Sequence, residues 1–410
     1  MKKSETIGYS ENNKPLLVQY CNYKEPSSSS SVRILILAGQ HGDENCAKKS
    51  VLKLGSYLNR RSLEDIEVAV LSDANPDGSS LHNRRNVKNI DLNRDHQLLQ
   101  SSEVKAIHRF VAKWKPHVIL DVHNYPTRRK ELLKKNLILD HDIFFDIPTN
   151  PAICPKLDSK SLQKFFSSVI LKLEKKGIAA ERYVLLNQNR ARHSNTDLKD
   201  ARNSLALKFD IFTVLIEGKE CSKGKEKQAI NSQYNALKVI LKWIRTNKKI
   251  LTKTRKKDTA NQIVPIRARY AEDYSSNGLA MTFKNSITKK HCSIVIPKYL
   301  SDIEITKFVT LPTQYGIPKN NTKLISLLKQ HGYSIKTMTK SRVQTYNNAS
   351  GRIKLYEKSI DLGKYYSVST NQRGSRFLAV LLEPESKYGL CRYPQFSLKF
   401  LKGEYPVIKC

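Results

Sequence analysis

Long hydrophobic runs are missing from this chain. No stretch reaches the roughly 20 consecutive apolar residues that a membrane-spanning helix requires, which excludes such a helix. The start, Met1-Lys2-Lys3-Ser4-Glu5-Thr6, turns polar at once and lacks the apolar region of a signal peptide. Cysteine is sparse and scattered, with seven residues at 21, 46, 154, 221, 292, 391 and 410. An odd, dispersed set reads as free thiols in a reducing cytoplasm, not as a disulfide framework. Acidic residues are scarce too: 37 Asp and Glu face 72 Lys and Arg, a formal net charge of +35. What is present is a 39% hydrophobic fraction over 410 residues. That excludes wholesale disorder, and at roughly 100–200 residues per domain it suggests two or three domains. The expected class is soluble, globular and cytoplasmic.

The positive charge sets up a field that attracts nucleic acid, anionic headgroups or acidic substrates. No finger, RNP or helix-turn-helix signature accompanies it, so nucleic acid is a partner that no motif indicates. The plainer reading is a lysine-rich, solvated surface. Arg128-Arg129-Lys130, just after His123, is placed to steer an anion toward that histidine.

Strand and helix patterns alternate through about the first 245 residues. The run 32–38 (VRILILA) is continuously apolar, as expected of a strand buried on both faces. Residues 67–71, 118–122 (VILDV) and 212–216 (FTVLI) read as further strands, and 46–58, 102–113, 162–176 and 229–244 as helices. This alternation predicts an α/β fold, a mixed, mostly parallel sheet flanked by helices. Catalytic groups in such sheets sit at the C-terminal ends of strands. Residues 24–31, with five consecutive serines, read as a surface loop. The basic stretch from Arg245 marks a boundary, with 246–257 as a linker. Beyond it, residues 258–410 read as a smaller β-rich region, with short β-prone runs at 293–296 and 377–382 and one helix over 321–330 that ends at His331-Gly332.

Gly39-Gln40-His41-Gly42-Asp43-Glu44 directly follows the first buried strand, so His41 and Glu44 can offer a nitrogen and a carboxylate to one metal ion. Short motifs of this kind arise by chance. His123, however, ends the strand VILDV, and a His/Glu/His set with an open fourth position is the arrangement of catalytic zinc. Glu217 closes another buried strand, where a carboxylate costs solvation unless it has a partner.

The ordered series HGDE, NPDG (75–78), RRNVKNIDLNR (84–94), DVHNY (121–125) and VLIEG (214–218) resembles the zinc metallocarboxypeptidase family, carboxypeptidase A-like, over most of residues 30–245. The resemblance implies a zinc-dependent hydrolase of C-terminal peptide bonds holding one Zn²⁺ through His41, Glu44 and His123. Asp91 would hold His41 from behind. Arg84 would polarise the scissile carbonyl, and Asn93 and Arg94 would clamp the substrate's free carboxylate. Glu217 would act as general base, and Tyr125, two residues after His123, marks the peptidase variant of the motif and joins the substrate-binding set. The family often carries a tyrosine about 22 residues before the catalytic glutamate; here that position is Asn195, and the nearest upstream tyrosine is Tyr183. About 15 residues before it lies the specificity position, which falls on Arg202 and implies a preference for acidic side chains, with a surface arginine as the plainer alternative. The same motifs also resemble amidohydrolases of the aspartoacylase and succinylglutamate desuccinylase type, which cleave small N-acyl amino acids. A non-catalytic binder of anionic partners on the same fold is the third reading.

Overall fold

The computed structural model describes residues 3–21, 31–61, 65–187, 190–222, 224–253, 260–272, 277–348 and 352–410. Of the serine-rich stretch expected as a surface loop, 24–30 lie outside the described residues. An eight-stranded sheet forms the centre. Its strands are β1 (Lys3–Tyr9), β2 (Pro15–Cys21), β3 (Val32–Ala38), β4 (Ile66–Leu71), β5 (Val118–Tyr125), β6 (Ile143–Asp146), β7 (Ala180–Arg182) and β8 (Phe212–Lys219), in the order β1-β2-β4-β3-β5-β8-β6-β7. The four central strands β4, β3, β5 and β8 run parallel. The flanking pairs β1/β2, β2/β4 and β6/β8 are antiparallel.

The central strands are mostly apolar because each feeds two layers. Ile34, Ile36, Val68, Leu120, Val214 and Ile216 point to one side. There they meet α1 (Asn45–Leu58) through Leu54 and α4 (Glu226–Thr246) through Leu237 and Ile240. The alternate residues Leu35, Leu37, Ala69 and Ile119 point to the other side. They pack on Ile107 and Phe110 of α2 (Ser102–Trp114) and on Leu205 of α3 (Ala201–Phe209). The two-residue period of a strand thus assigns each face its own helices. The expected helix over 162–176 is observed as Ser159–Glu174.

Beyond residue 260 the chain is rich in short strands, including a six-stranded sheet built from Gln314–Pro318, Lys336–Thr337, Arg342–Asn347, Lys354–Ser359, Tyr365–Ser369 and Ile408–Lys409. This region interlocks with the central one. Leu279–Asn285 adds to the strand Leu137–Leu139, and Lys298–Leu300 runs parallel to Arg190–His193. Leu92, Leu99, Val104 and Leu207 share one apolar cluster with Leu311, Leu324, Phe377 and Leu381. Helix α5 (Thr322–Gln330) is capped by the Asn321 side chain and closes at His331, with Gly332 at φ +87° as its C-terminal stop.

Two readings are corrected. Residues 377–382, expected as a β-prone run, belong to a helix, α6 (Ser375–Leu382). All six are buried, and periodicity cannot separate a fully buried helix from a buried strand. The start of the basic stretch is helical, as the end of α4 and Lys248–Thr252, where an open linker was expected; 254–257 lie outside the described residues.

Candidate metal and substrate site

At the end of β3 the chain turns through Gly39 (φ +70°), and His41 and Glu44 follow before α1 begins. Gly42 lies against the Pro76–Ser80 turn so closely that a Cβ there would stand 2.1 Å from the Gly78 carbonyl carbon. Only glycine allows these two motifs to touch. Asn75 caps that turn by accepting from Gly78 N at 2.9 Å, and buried Lys48 ties the loops together, donating to the Gly42 carbonyl and Ser79 Oγ at 2.9 and 2.7 Å.

His123 arrives from β5, the strand beside β3, and Glu217 from β8, where it stands in direct register with His123. Three donor atoms, from His41, Glu44 and His123, lie within 4.8 Å of one another, and all three residues are buried. Glu44 spans the pair, with Oε1 2.6 Å from His41 Nδ1 and Oε2 2.9 Å from His123 Nδ1. Each imidazole presents its other nitrogen to an aspartate. His41 Nε2 lies 3.2 Å from Asp91 and His123 Nε2 lies 3.0 Å from Asp121. Burial opposes charge on both rings, yet the surrounding carboxylates hold both imidazoles above their ordinary pKa. Two imidazoles converging on one carboxylate, each backed by a second carboxylate, fit a divalent zinc ion, whose charge would take the place of those protons. Asp121 escaped the sequence reading, although its signal was present: two residues before His123 on one strand, it must share that face.

The other expected site residues are placed as follows. Arg84 is half exposed and paired with Asp91 at 3.0 Å, its guanidinium 4.0 Å from Glu44. Asn93 has its Nδ2 3.1 Å from His123 Nε2, while its Oδ1 accepts from Ala201 N at 2.9 Å. Arg94 lies in the open mouth of the same cleft. A small cavity of about 70 Å³ is bounded by Asn93, Arg94, Tyr183, Arg202 and Glu217. Burial, offset by His123 and reinforced by Glu44, pushes the Glu217 carboxyl above its usual range.

For Arg202 the surface alternative is excluded, and for Tyr125 the expected position is corrected. Arg202 is no surface residue: at 2% exposed, it donates to Asp146 at 3.0 Å and to the Asn195 carbonyl at 3.0 Å, and it pairs with Asp200 at 3.4 Å. Its Nε is buried without a hydrogen-bond partner among the described residues. Tyr125 does not face the cleft. It packs on Phe144 in an apolar cluster with Met281 and Phe283, and its hydroxyl donates to the His141 carbonyl. Strand β8 continues alongside and β6 covers it, so the strand's alternation does not carry Tyr125 to the site. Tyr183, by contrast, does line the cavity; burial and the Glu217 charge raise its phenol pKa.

Comparison with known proteins follows this geometry. Residues 1–127 match the zinc carboxypeptidase family. The resemblance read from the motifs is therefore shown for the segment that supplies His41, Glu44 and His123. A curated relative, Carboxypeptidase 2 of Trichophyton rubrum, is 29% identical over 194 residues, covering 45% of this chain and 36% of the relative. Carboxypeptidase 2 of Trichophyton tonsurans is 28% identical over the same shares. The chain thus spans little more than a third of the length of these relatives. Among solved structures, a metallo-carboxypeptidase from Burkholderia cenocepacia aligns with 16% identity and a TM-score of 0.46, covering 60% of this chain and 65% of that one.

The free-thiol expectation is corrected in part. Cys46, at the start of α1, is disulfide-bonded to Cys221, just beyond β8, with 5.6 Å between their Cα atoms; the other five cysteines, Cys21, Cys154, Cys292, Cys391 and Cys410, are not in disulfides. The pair is 175 residues apart in sequence, so only the parallel sheet, which gathers these strand ends, reveals it. No described helix is long and apolar enough to cross a membrane.

A second feature went unseen in the sequence. From His123 a buried hydrogen-bonded chain runs through Asp121 and Gln40 to His96 and His108, with steps of 3.0, 2.7, 2.7 and 3.1 Å. Lys208 of α3 then bridges His108 and His331, its Nζ 3.0 Å from each. His331 belongs to the C-terminal region, which therefore meets the polar chain that backs the candidate metal site.

Proposed function

We propose that this protein is a zinc-dependent carboxypeptidase that hydrolyses the C-terminal peptide bond of a peptide with a free carboxylate. The observation that carries the reading is the convergence of His41, Glu44 and His123, all within the segment 1–127 that matches the zinc carboxypeptidase family, beside Glu217, which lies beyond that segment. A zinc ion held by the first three would supply Lewis acidity and a readily ionised water. Glu217, its basicity raised by burial, takes a proton and returns it to the leaving amine. Arg84 faces the same carboxylate group from the solvent side and stabilises negative charge developing on the scissile carbonyl. Asn93 and Arg94 hold the terminal carboxylate, and Arg offers the two-pronged geometry for it. Tyr183 lines the cleft beside Glu217 and fills the role of the assisting phenol that position 195 lacks.

Arg202 supports a preference for C-terminal Asp or Glu, because its unpartnered Nε would be satisfied by an acidic side chain. Asp146 and Asp200 moderate that preference by sharing its charge. The Cys46–Cys221 bond supports a setting oxidising enough to keep it, in place of the reducing cytoplasm expected from scattered cysteines. The test is mass spectrometry of a C-terminally varied peptide library. Trimming should require metal and fall by about 10²–10⁴-fold in Glu217→Gln. Zinc-loaded protein that trims no peptide but cleaves N-acyl amino acids would replace this reading with the small-amide hydrolase. Arg202→Met should erase any enrichment for lost Asp and Glu; unchanged enrichment would remove Arg202 from specificity.

A further inference from the structure

The C-terminal ends of the central strands carry the candidate metal site; their N-terminal ends border a different cavity. It has a volume of about 300 Å³. Arg33 opens β3, Lys115 and His117 precede β5, and Asp210 precedes β8. Lys156 lines one side, and Gln372, Arg373 and Gly374 close it from the C-terminal region. Arg33, Lys115, Lys156, Arg373 and Arg376, with the buried Lys208, meet a single lining carboxylate among the described residues, Asp210, which lies 3.6 Å from Lys156.

The guanidinium groups are held in place by uncharged partners. Arg33 Nε donates to the Lys115 carbonyl at 3.1 Å. Arg373 donates to the Phe209 carbonyl, with its guanidinium 5.3 Å from the Phe209 ring centre. Carbonyl contacts fix the position of a cation without neutralising it, so positive charge stays in excess inside the cavity. His117 senses this field. Burial first, then Arg33, Lys156 and Arg373, depress its pKa to about 4. Helix α6 also begins here, with Gly374 as its N-cap, so the positive end of its dipole faces the same space.

We propose that this cavity, at the sheet edge opposite the candidate metal site, binds a phosphate group, free or carried by a small ester. This excess of basic groups over one carboxylate exceeds what a monocarboxylate would balance, and three guanidinium groups with a helix N-terminus suit a multiply charged tetrahedral oxyanion. The site does not depend on the proposed peptidase activity. Closing residues 372–374 come from the C-terminal region, so an occupied site would also bind that region to the sheet.

The test is calorimetric titration of the zinc-loaded full chain with inorganic phosphate, and separately with adenosine monophosphate, at constant ionic strength. Binding should weaken by about tenfold or more in Arg373→Gln and in Lys156→Gln, the loss of one charge-assisted contact. It should persist in Arg94→Ala, which alters the substrate cleft, and in Lys172→Glu, which changes a remote exposed charge. Circular dichroism on each variant verifies folding. Tighter binding of the ester would assign the ligand as an ester, and equal binding would assign phosphate alone. No binding up to about 10 mM, equal binding in Arg373→Gln and Lys156→Gln, or loss confined to Arg94→Ala would each overturn the proposal.

Discussion

Lys208 gives the most exacting prediction. The residue is 4% exposed, with its ammonium between His108 and His331 and 4.8 Å from the Phe209 ring centre. Burial lowers its pKa from 10.5 to about 7. Both histidines are held neutral, their pKa values pushed well below 6.5 by burial and then by Lys208 itself. Between pH 7 and 10 the unfolded chain therefore carries a proton on Lys208 that the folded chain has released. Stability should rise with pH across that window by about 1.4 kcal/mol per unit, or about 4 kcal/mol in all, and the gain is lost again as pH falls through 7. Lys208→Met removes this titration. It also strips His108 Nδ1 and His331 Nδ1 of a partner, a cost of about 1–3 kcal/mol each that does not depend on pH. Urea unfolding of both proteins at pH 7, 8, 9 and 10 separates the two effects, because other titrating groups cancel in the difference. The stability difference between wild type and Lys208→Met should grow steadily in favour of wild type. A difference flat to within about 1 kcal/mol would refute the buried, partly neutral lysine.

Further perturbations test the rest of the argument. Asp121→Asn should keep the fold but lower zinc affinity by about 10–100-fold, since it removes the carboxylate that orients His123; competition with a chelator measures this. Cys221→Ser opens a loop closed over 175 residues and should lower the unfolding free energy by about 2–4 kcal/mol, read by denaturant unfolding under non-reducing conditions. An unchanged midpoint in that variant would show the bond contributes nothing to stability.

Much of the centre of this protein was legible in its sequence. VRILILA, VILDV and FTVLI are apolar but for Arg33, Asp121 and Thr213 because they lie in the middle of a sheet covered on both sides, and that pattern predicts parallel strands. Their ends then fix where His41, Glu44, His123 and Glu217 must emerge. The order of motifs named the family that residues 1–127 match. Tertiary structure decided what depends on partners distant in sequence. Sequence left Arg202 open between a specificity pocket and the surface until β6 placed Asp146 against it. Tyr125 stood two residues from His123, yet the strands packed around it turned its hydroxyl to a main-chain carbonyl. Cys46 and Cys221 meet only because β3 and β8 flank β5. His96, His108, Lys208 and His331 form one chain only when the C-terminal region docks on α3. Short-range patterns in sequence report which side of an element faces apolar surroundings; which polar group waits there is set by contacts between separate elements, and only the folded molecule contains them.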